Sequence, residues 1–214
     1  MFEQALDPQT VLLIKKLAQQ KSFSDFFYLA GGTALSLHLG HRRSEDIDLF
    51  TRKQFSVEYY SDIVNSIEGQ ILIAEQGTVH CIVNNVKLSL LYYPYPLLNS
   101  QADFHGLKVA SIADIACMKA IAISQRAEKK DFYDFAEILK ILPPAEIRKM
   151  LFEKFGQKKI NCYHMLKSFF YFSDVEHSPD PVSLNGTSWE DIKQYLSSRE
   201  KEISSGFLNG TNYA

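Results

Sequence analysis

The chain has 214 residues, 46% of them hydrophobic, enough to bury a sizeable core in one large or two small domains. Its formal net charge of -2 excludes a protein whose whole surface traps nucleic acid, so any anionic ligand must be gripped locally. Cys81, Cys117 and Cys162 are scattered and lack C-x-x-C spacing, which excludes a disulfide framework or a zinc knuckle and fits a reducing cytoplasm.

The N-terminus "MFEQALDPQT" carries acids where a signal peptide has a basic region, and no apolar run nears the roughly 18 residues of a membrane span. A soluble cytoplasmic protein without a membrane partner is expected. Asp7 then Pro8 reads as a cap and first helical residue, and Val11, Leu12, Ile14, Leu17 and Ala18 form an apolar stripe, predicting a helix over 8–20. "FFYLA" (26–30) is an apolar run of strand length ending at Gly31-Gly32, and "TALSLHLG" behind it has helical spacing up to Gly40. The reading is strand, glycine turn, short helix. "HRRSE" is polar loop, and "DIDLF" alternates like a strand, so Asp46 and Asp48 point the same way.

A helix near 56–68 follows, then strands "ILIAE", "HCIV" and "VKLSLLYY", the last two joined through Asn84-Asn85, a pair suited to a tight hairpin. From Ser111 the texture becomes helical, with Ser111 and Asp114 at capping-box spacing. Pro143-Pro144 breaks one helix, 178–188 is loop, and Ser188 with Asp191 caps a helix carrying Trp189, Ile192, Tyr195 and Leu196. "GFLNGTNYA" reads as a frayed tail. The basic run 148–159 is either a solvated helix face or an RNA contact.

The densest chemistry lies in 28–50. Carboxylates at i and i+2 on a strand lie about 6–7 Å apart on one face, within reach of a hard divalent cation such as Mg²⁺ or Mn²⁺. Glycines permit close backbone approach, and the N–H groups opening a helix attract anions. Each part alone is common. Their order, with Asp46 fourteen positions after Gly32, is specific, and helix terminus and metal together suit a triphosphate.

"AGGTALSLHLGHRRSEDIDLF" resembles the first motif of the polymerase-beta-type nucleotidyltransferase superfamily, and most closely the AbiEii/AbiGii toxin family of bacterial abortive-infection and toxin–antitoxin systems. "KVASIADIACMKAIAISQRAEKKDFYDFAEIL" resembles that family's later motif, a Lys- and Arg-bearing helix before D-x-x-D. The resemblance implies an α+β fold: a mixed or antiparallel sheet with flanking helices over 1–108, the nucleotidyltransferase core, and a helical part over 109–214 that completes the site. It implies an NTP donor, an RNA acceptor such as tRNA, and a cognate antitoxin encoded nearby. Gly31, Gly32 and Thr33 become the nucleotide-phosphate turn, Asp46 and Asp48 the catalytic metal ligands, and Arg43 and Ser44 phosphate contacts. Lys119 and Arg126, seven apart and so on one helix face, become triphosphate partners, and Asp131 and Asp134 orient them or assist the acceptor hydroxyl. Asp131 and Asp134 also suit a helix cap, and Lys119 a snorkelling edge position.

One position departs from the pattern. The superfamily's catalytic members carry a third carboxylate on a later strand, and the alternation of "VKLSLLYY" puts Ser89 there. Either Asp131 or Asp134 substitutes, or the toxin-like group works without a third acid, or the protein is a silent nucleotide-binding or regulatory module.

Overall fold

The computed structural model describes residues 1–208, so 209–214, most of the expected tail, lie outside the described residues. The chain divides into two compact units, Met1–Ser111 and the remainder from Ile112.

In the first unit Asp7 caps α1 (Pro8–Ala18) by accepting from the Gln9 amide at 2.9 Å. A single turn, α2 (Lys21–Ser24), leads to β1 (Tyr28–Ala30), shorter than expected. Phe27 stays outside the strand and serves an aromatic cluster instead, packed edge-on against Phe55 and Tyr60, while Phe26 is exposed beneath the Lys53 ammonium. The glycines form no separate turn: α3 (Gly31–Leu39) starts at Gly31 itself. Next come β2 (Ile47–Thr51) and α4 (Val57–Ser66), the latter capped by the Ser56 hydroxyl.

The meander β3 (Gln70–Glu75), β4 (Thr78–Val83) and β5 (Val86–Tyr92) follows, and Asn84 and Asn85 turn the second hairpin with φ of 51° and 64°. A short hairpin, β6 (Ala102–Phe104) and β7 (Leu107–Val109), closes the unit; no local pattern announced it. All seven strands form one mixed sheet in the order β3-β4-β5-β2-β1-β7-β6, in which β2 pairs antiparallel with β1 and parallel with β5. Leu29, Ile47, Leu49, Val79, Leu88 and Leu90 are fully buried on one face, and by alternation the neighbouring positions point to the other. The core therefore decides which side chains of β2 and β5 are left for chemistry.

The second unit is helical: α5 (Ile112–Arg126), α6 (Lys129–Leu139), α7 (Pro144–Phe155), α8 (Cys162–Phe169), α9 (Trp189–Ser198) and α10 (Glu200–Leu208). Helix α5 packs against α6, α7 and α8, and α10 against α7 and α8. Phe135, Phe169 and Phe207 stack through the middle at centroid spacings of 4.5 and 5.1 Å. Residues 206–208, expected as tail, are the last turn of α10, because Phe207 is fully buried in that stack. The basic run 148–159 is not wholly a solvated face either. Lys154 is turned inward, its ammonium 2.7 Å from Asp114 with each side chain only 1% exposed. Among the described residues no helix is long and apolar enough to cross a membrane.

Candidate active site

Ile47 and Leu49 anchor β2 in the core, which forces Asp48 between them onto the opposite face. The sheet register then carries a row across that face: Ala30 pairs with Asp48, Asp48 with Ser89, and Ser89 with His80. Neighbours in such a row sit about 5 Å apart, so one polar strip crosses β2, β5 and β4. Ser89 is the residue beside Asp48, in line with the alternation, and it is not alone. Its hydroxyl is 3.0 Å from His80 Nδ1. Asp48, Ser89 and His80 are all half-buried.

The glycines are explained by what lies against them. Gly31 opens α3 with φ of +69°, and a Cβ there would stand 2.9 Å from Asp48 Oδ2. A Cβ on Gly32 would collide with Arg42 Nη2 and lie 3.6 Å from the Ser44 hydroxyl. The start of α3 is thus pressed directly onto a carboxylate and a guanidinium, which only glycine permits. Thr33 fastens the loop behind: its hydroxyl donates to the Asp46 carbonyl, so at 2.8 Å from Ser44 Oγ it accepts the serine proton. Asp46 precedes β2 by one residue and is half-buried.

Of the adjacent arginines, the one singled out from sequence, Arg43, is exposed, and its carbonyl accepts from Arg42 Nη1 at 2.9 Å. Arg42, 3% exposed, is the arginine packed against the glycines. Sequence reasoning missed it, because a loop without periodicity gives no sign of which neighbour turns in. It missed His80 as well, although the two-residue turn at 84–85 carries the register that places it.

In the second unit Lys119 is no snorkelling edge residue. Its ammonium lies 2.8 Å from Asp131 Oδ1 and 2.6 Å from Asp134 Oδ2, with the lysine side chain 8% exposed. Asp131 also closes a capping box, accepting from the Glu128 amide at 3.1 Å, so it both caps α6 and holds Lys119. Arg126, by contrast, ends α5 with its side chain 79% exposed and 3.9 Å from Glu128. Lys130, hydrogen-bonded to Glu128, holds that carboxyl below the usual range, with help from Arg126 and Lys119.

Among the described residues no group of three or more His, Cys, Asp or Glu side chains is arranged to hold a metal. The donors present are Asp46 and Asp48, hard oxygens two positions apart. That set fits Mg²⁺, which binds through one or two carboxylates and completes its shell with water and phosphate. The space a Gly31 Cβ would fill lies against one of those carboxylates.

Comparison with known proteins adds the following. The chain matches the family model described as "Nucleotidyl transferase AbiEii toxin, Type IV TA system" over residues 13–89 and 82–201. An uncharacterized protein of Aquifex aeolicus is 33% identical over 189 residues, spanning 82% of this chain and 87% of its own. Among solved structures, one described as a "putative nucleotidyltransferase from H. pylori" aligns with a TM-score of 0.56 at 18% identity over 95% of this chain and 98% of that one. ANT(2'')-Ia in complex with adenylyl-2''-tobramycin aligns at 0.52 and 15% identity, over 67% of this chain and 95% of its own. MenT4, a nucleotidyltransferase toxin of Mycobacterium tuberculosis, aligns at 0.50 and 15% identity, over 96% and 84%. At these identities the structures speak to the fold, a nucleotidyltransferase-type α+β arrangement.

Proposed function

Because the chain belongs to the nucleotidyl transferase AbiEii toxin family, we propose that it moves a nucleotide from an NTP to an acceptor hydroxyl, using a divalent cation held by Asp46 and Asp48. One observation carries this reading: the glycines opening α3 lie against Asp48 and Arg42, so a phosphate-binding helix start and a metal-binding carboxylate share one place. A bound Mg²⁺ or Mn²⁺ supplies charge neutralisation for the triphosphate.

The chain's own residues do the rest. Backbone N–H groups at the start of α3 receive phosphate oxygens, and Thr33 with Ser44 keeps the Asp46 loop in place. The acceptor oxygen forms a bond to the α-phosphorus, the bond from that phosphorus to the bridging oxygen breaks, and pyrophosphate leaves. The acceptor's proton passes to a base, a role we give to His80, held through Nδ1 by Ser89 beside Asp48. In the second unit Lys119 is held by Asp131 and Asp134. The proposed acceptor is RNA such as a tRNA, and the proposed partner an antitoxin encoded alongside.

A second reading rests on Ser89, which is no acid: a silent module that binds Mg·NTP without turnover. The deciding experiment incubates the protein with each α-³²P-labelled NTP, Mg²⁺, and either total bacterial RNA or tobramycin. Label on an acceptor with wild type, absent with Asp46→Ala/Asp48→Ala, supports transfer; NTP binding without label supports the silent module. Neither binding nor label would sink both.

A further inference from the structure

Apart from these clusters, the second unit contains a cavity of about 670 Å³ between the end of α5, helix α8 and the segment that follows it. That is the size of a site for a nucleotide-sized ligand. Ile123, Ala127 and Phe170 give it apolar walls, and Tyr171, 56% exposed, adds a ring at its edge. The charged lining is Arg126, Lys167 and a single acid, Asp174. Arg126 has its nearest carboxylate at 3.9 Å, while that same Glu128 is held by Lys130 at 2.9 Å. Among the described residues Lys167 makes no ion pair; its ammonium rests 4.7 Å from the centroid of the Tyr163 ring, itself 61% exposed. His164 Nε2 donates to the Ser124 carbonyl at 3.0 Å.

Two exposed tyrosines thus flank a lysine, beside an arginine whose one ion pair is long and a hollow with apolar walls. Rings that accept any base by stacking, interleaved with cations that track phosphates, suit single-stranded nucleic acid. A duplex would present phosphates but no free base faces. We propose that this cavity binds a single-stranded polynucleotide, one base against Tyr171 and its phosphate between Arg126 and Lys167. That this strand is the acceptor rests on the nucleotidyltransferase reading; the binding itself does not.

The test uses the full chain and fluorescein-labelled ten-nucleotide RNA of mixed sequence, read by anisotropy across a salt series, with matching DNA and duplex RNA as separate arms. Wild type should bind the single strand at least tenfold tighter than the duplex. Tyr171→Ala should weaken binding by about tenfold, and Lys167→Ala should flatten the plot of log affinity against log salt by roughly 0.7. Circular dichroism checks that both variants fold, which the exposure of both side chains favours. Equal affinity for the DNA strand supports the site and leaves the sugar unread. The Asp46→Ala/Asp48→Ala protein should keep wild-type strand affinity, so loss of transfer and loss of strand binding are read apart. No binding up to ~100 μM, unchanged affinity in both variants, equal affinity for duplex, or displacement by free NTP at equal affinity would each overturn the proposal. So would a co-purified protein partner covering Tyr171 in place of the oligonucleotide.

Discussion

Alanine at Gly31 separates the two demands made on that glycine. The backbone demand is its φ of +69°, which costs an L-residue roughly 1–2 kcal/mol. The spatial demand is Asp48 Oδ2, 2.9 Å from the new Cβ where ordinary contact begins at 3.4 Å, so about 0.5 Å must be yielded (3.4 - 2.9). A carboxylate at the end of a rotatable side chain gives way at little energetic cost. It leaves its place, however, by as much as a metal site tolerates, ~0.5 Å. Gly31→Ala should therefore lower the melting temperature by only about 2–8 °C, yet abolish stabilisation by Mg·NTP. If wild type binds Mg·NTP as proposed, that stabilisation should be about 2.7 kcal/mol at a hundred times Kd. Gly186→Ala is the control, since its φ is +78° and no atom lies within 4 Å of the added Cβ. It should cost the same backbone strain and keep the Mg·NTP shift. If Gly31→Ala melts like Gly186→Ala and still responds fully to Mg·NTP, the glycine serves the backbone alone, and the claim that it makes room for Asp48 is wrong.

The buried pair in the helical unit gives a second test. Asp114→Ala removes the carboxylate 2.7 Å from the Lys154 ammonium, 1% exposed, and should cost about 3–5 kcal/mol in urea denaturation, whereas Asp114→Leu with Lys154→Met should recover most of it; a single-variant loss under about 1 kcal/mol would contradict the burial argument. Burial also pushes the Cys81 thiol up to about 11 and the Cys117 thiol up to about 12, while Cys162 is half-buried. At pH 7.5 a thiol reagent should titrate one cysteine of the native protein and all three after denaturation, and two fast native thiols would refute it. At the start of α9 the Ser188 hydroxyl and amide hold the Asp191 carboxyl below its ordinary 3.8. A depressed folded value means the cap contributes above pH 3.8 and is lost as pH falls through the lower folded value. The Asp191 carboxyl followed by NMR should titrate below 3.8 in wild type and closer to it in Ser188→Ala; an identical midpoint in both would rule the cap out as the cause.

Much of the fold was legible wherever a local rule governed: the Asp7 cap, the Asn84-Asn85 turn and the Ser188–Asp191 box depend on residues within a few positions of one another. What escaped depends on distant partners. Lys154 looked like part of a solvated run because its carboxylate lies forty positions away in sequence. The glycine of "GFLNG" looked like a tail residue, yet a Cβ on Gly206 would meet Pro144 at 2.7 Å and the Ala145 amide nitrogen at 2.8 Å, so it lets α10 press against α7. Arg42 and Arg43 are identical in type, and only packing distinguishes them.

The site itself was half legible, and the missing half followed from something already read. A two-residue turn at 84–85 pairs Val83 with Val86, and counting outward three steps pairs His80 with Ser89. The alternation that sent Ser89 away from the core therefore sent His80 to the same face, since directly paired residues share a side. Serine alone cannot take a proton at neutral pH, which is why the position looked chemically empty. The imidazole bonded to that serine is the base in the proposed mechanism. In the proposed mechanism it is the pair, not residue 89 alone, that stands where the family pattern has an acid. The two readings of the site then part at His80→Ala. If the pair takes the acceptor's proton, the variant loses turnover at least a hundredfold while keeping NTP affinity; if the site is silent, there is no turnover to lose. Ser89→Asp, which restores an acid beside Asp48, should recover part of the lost rate in the His80→Ala background. No recovery, with nucleotide binding intact, would mean that the strip beside Asp48 does not handle the proton.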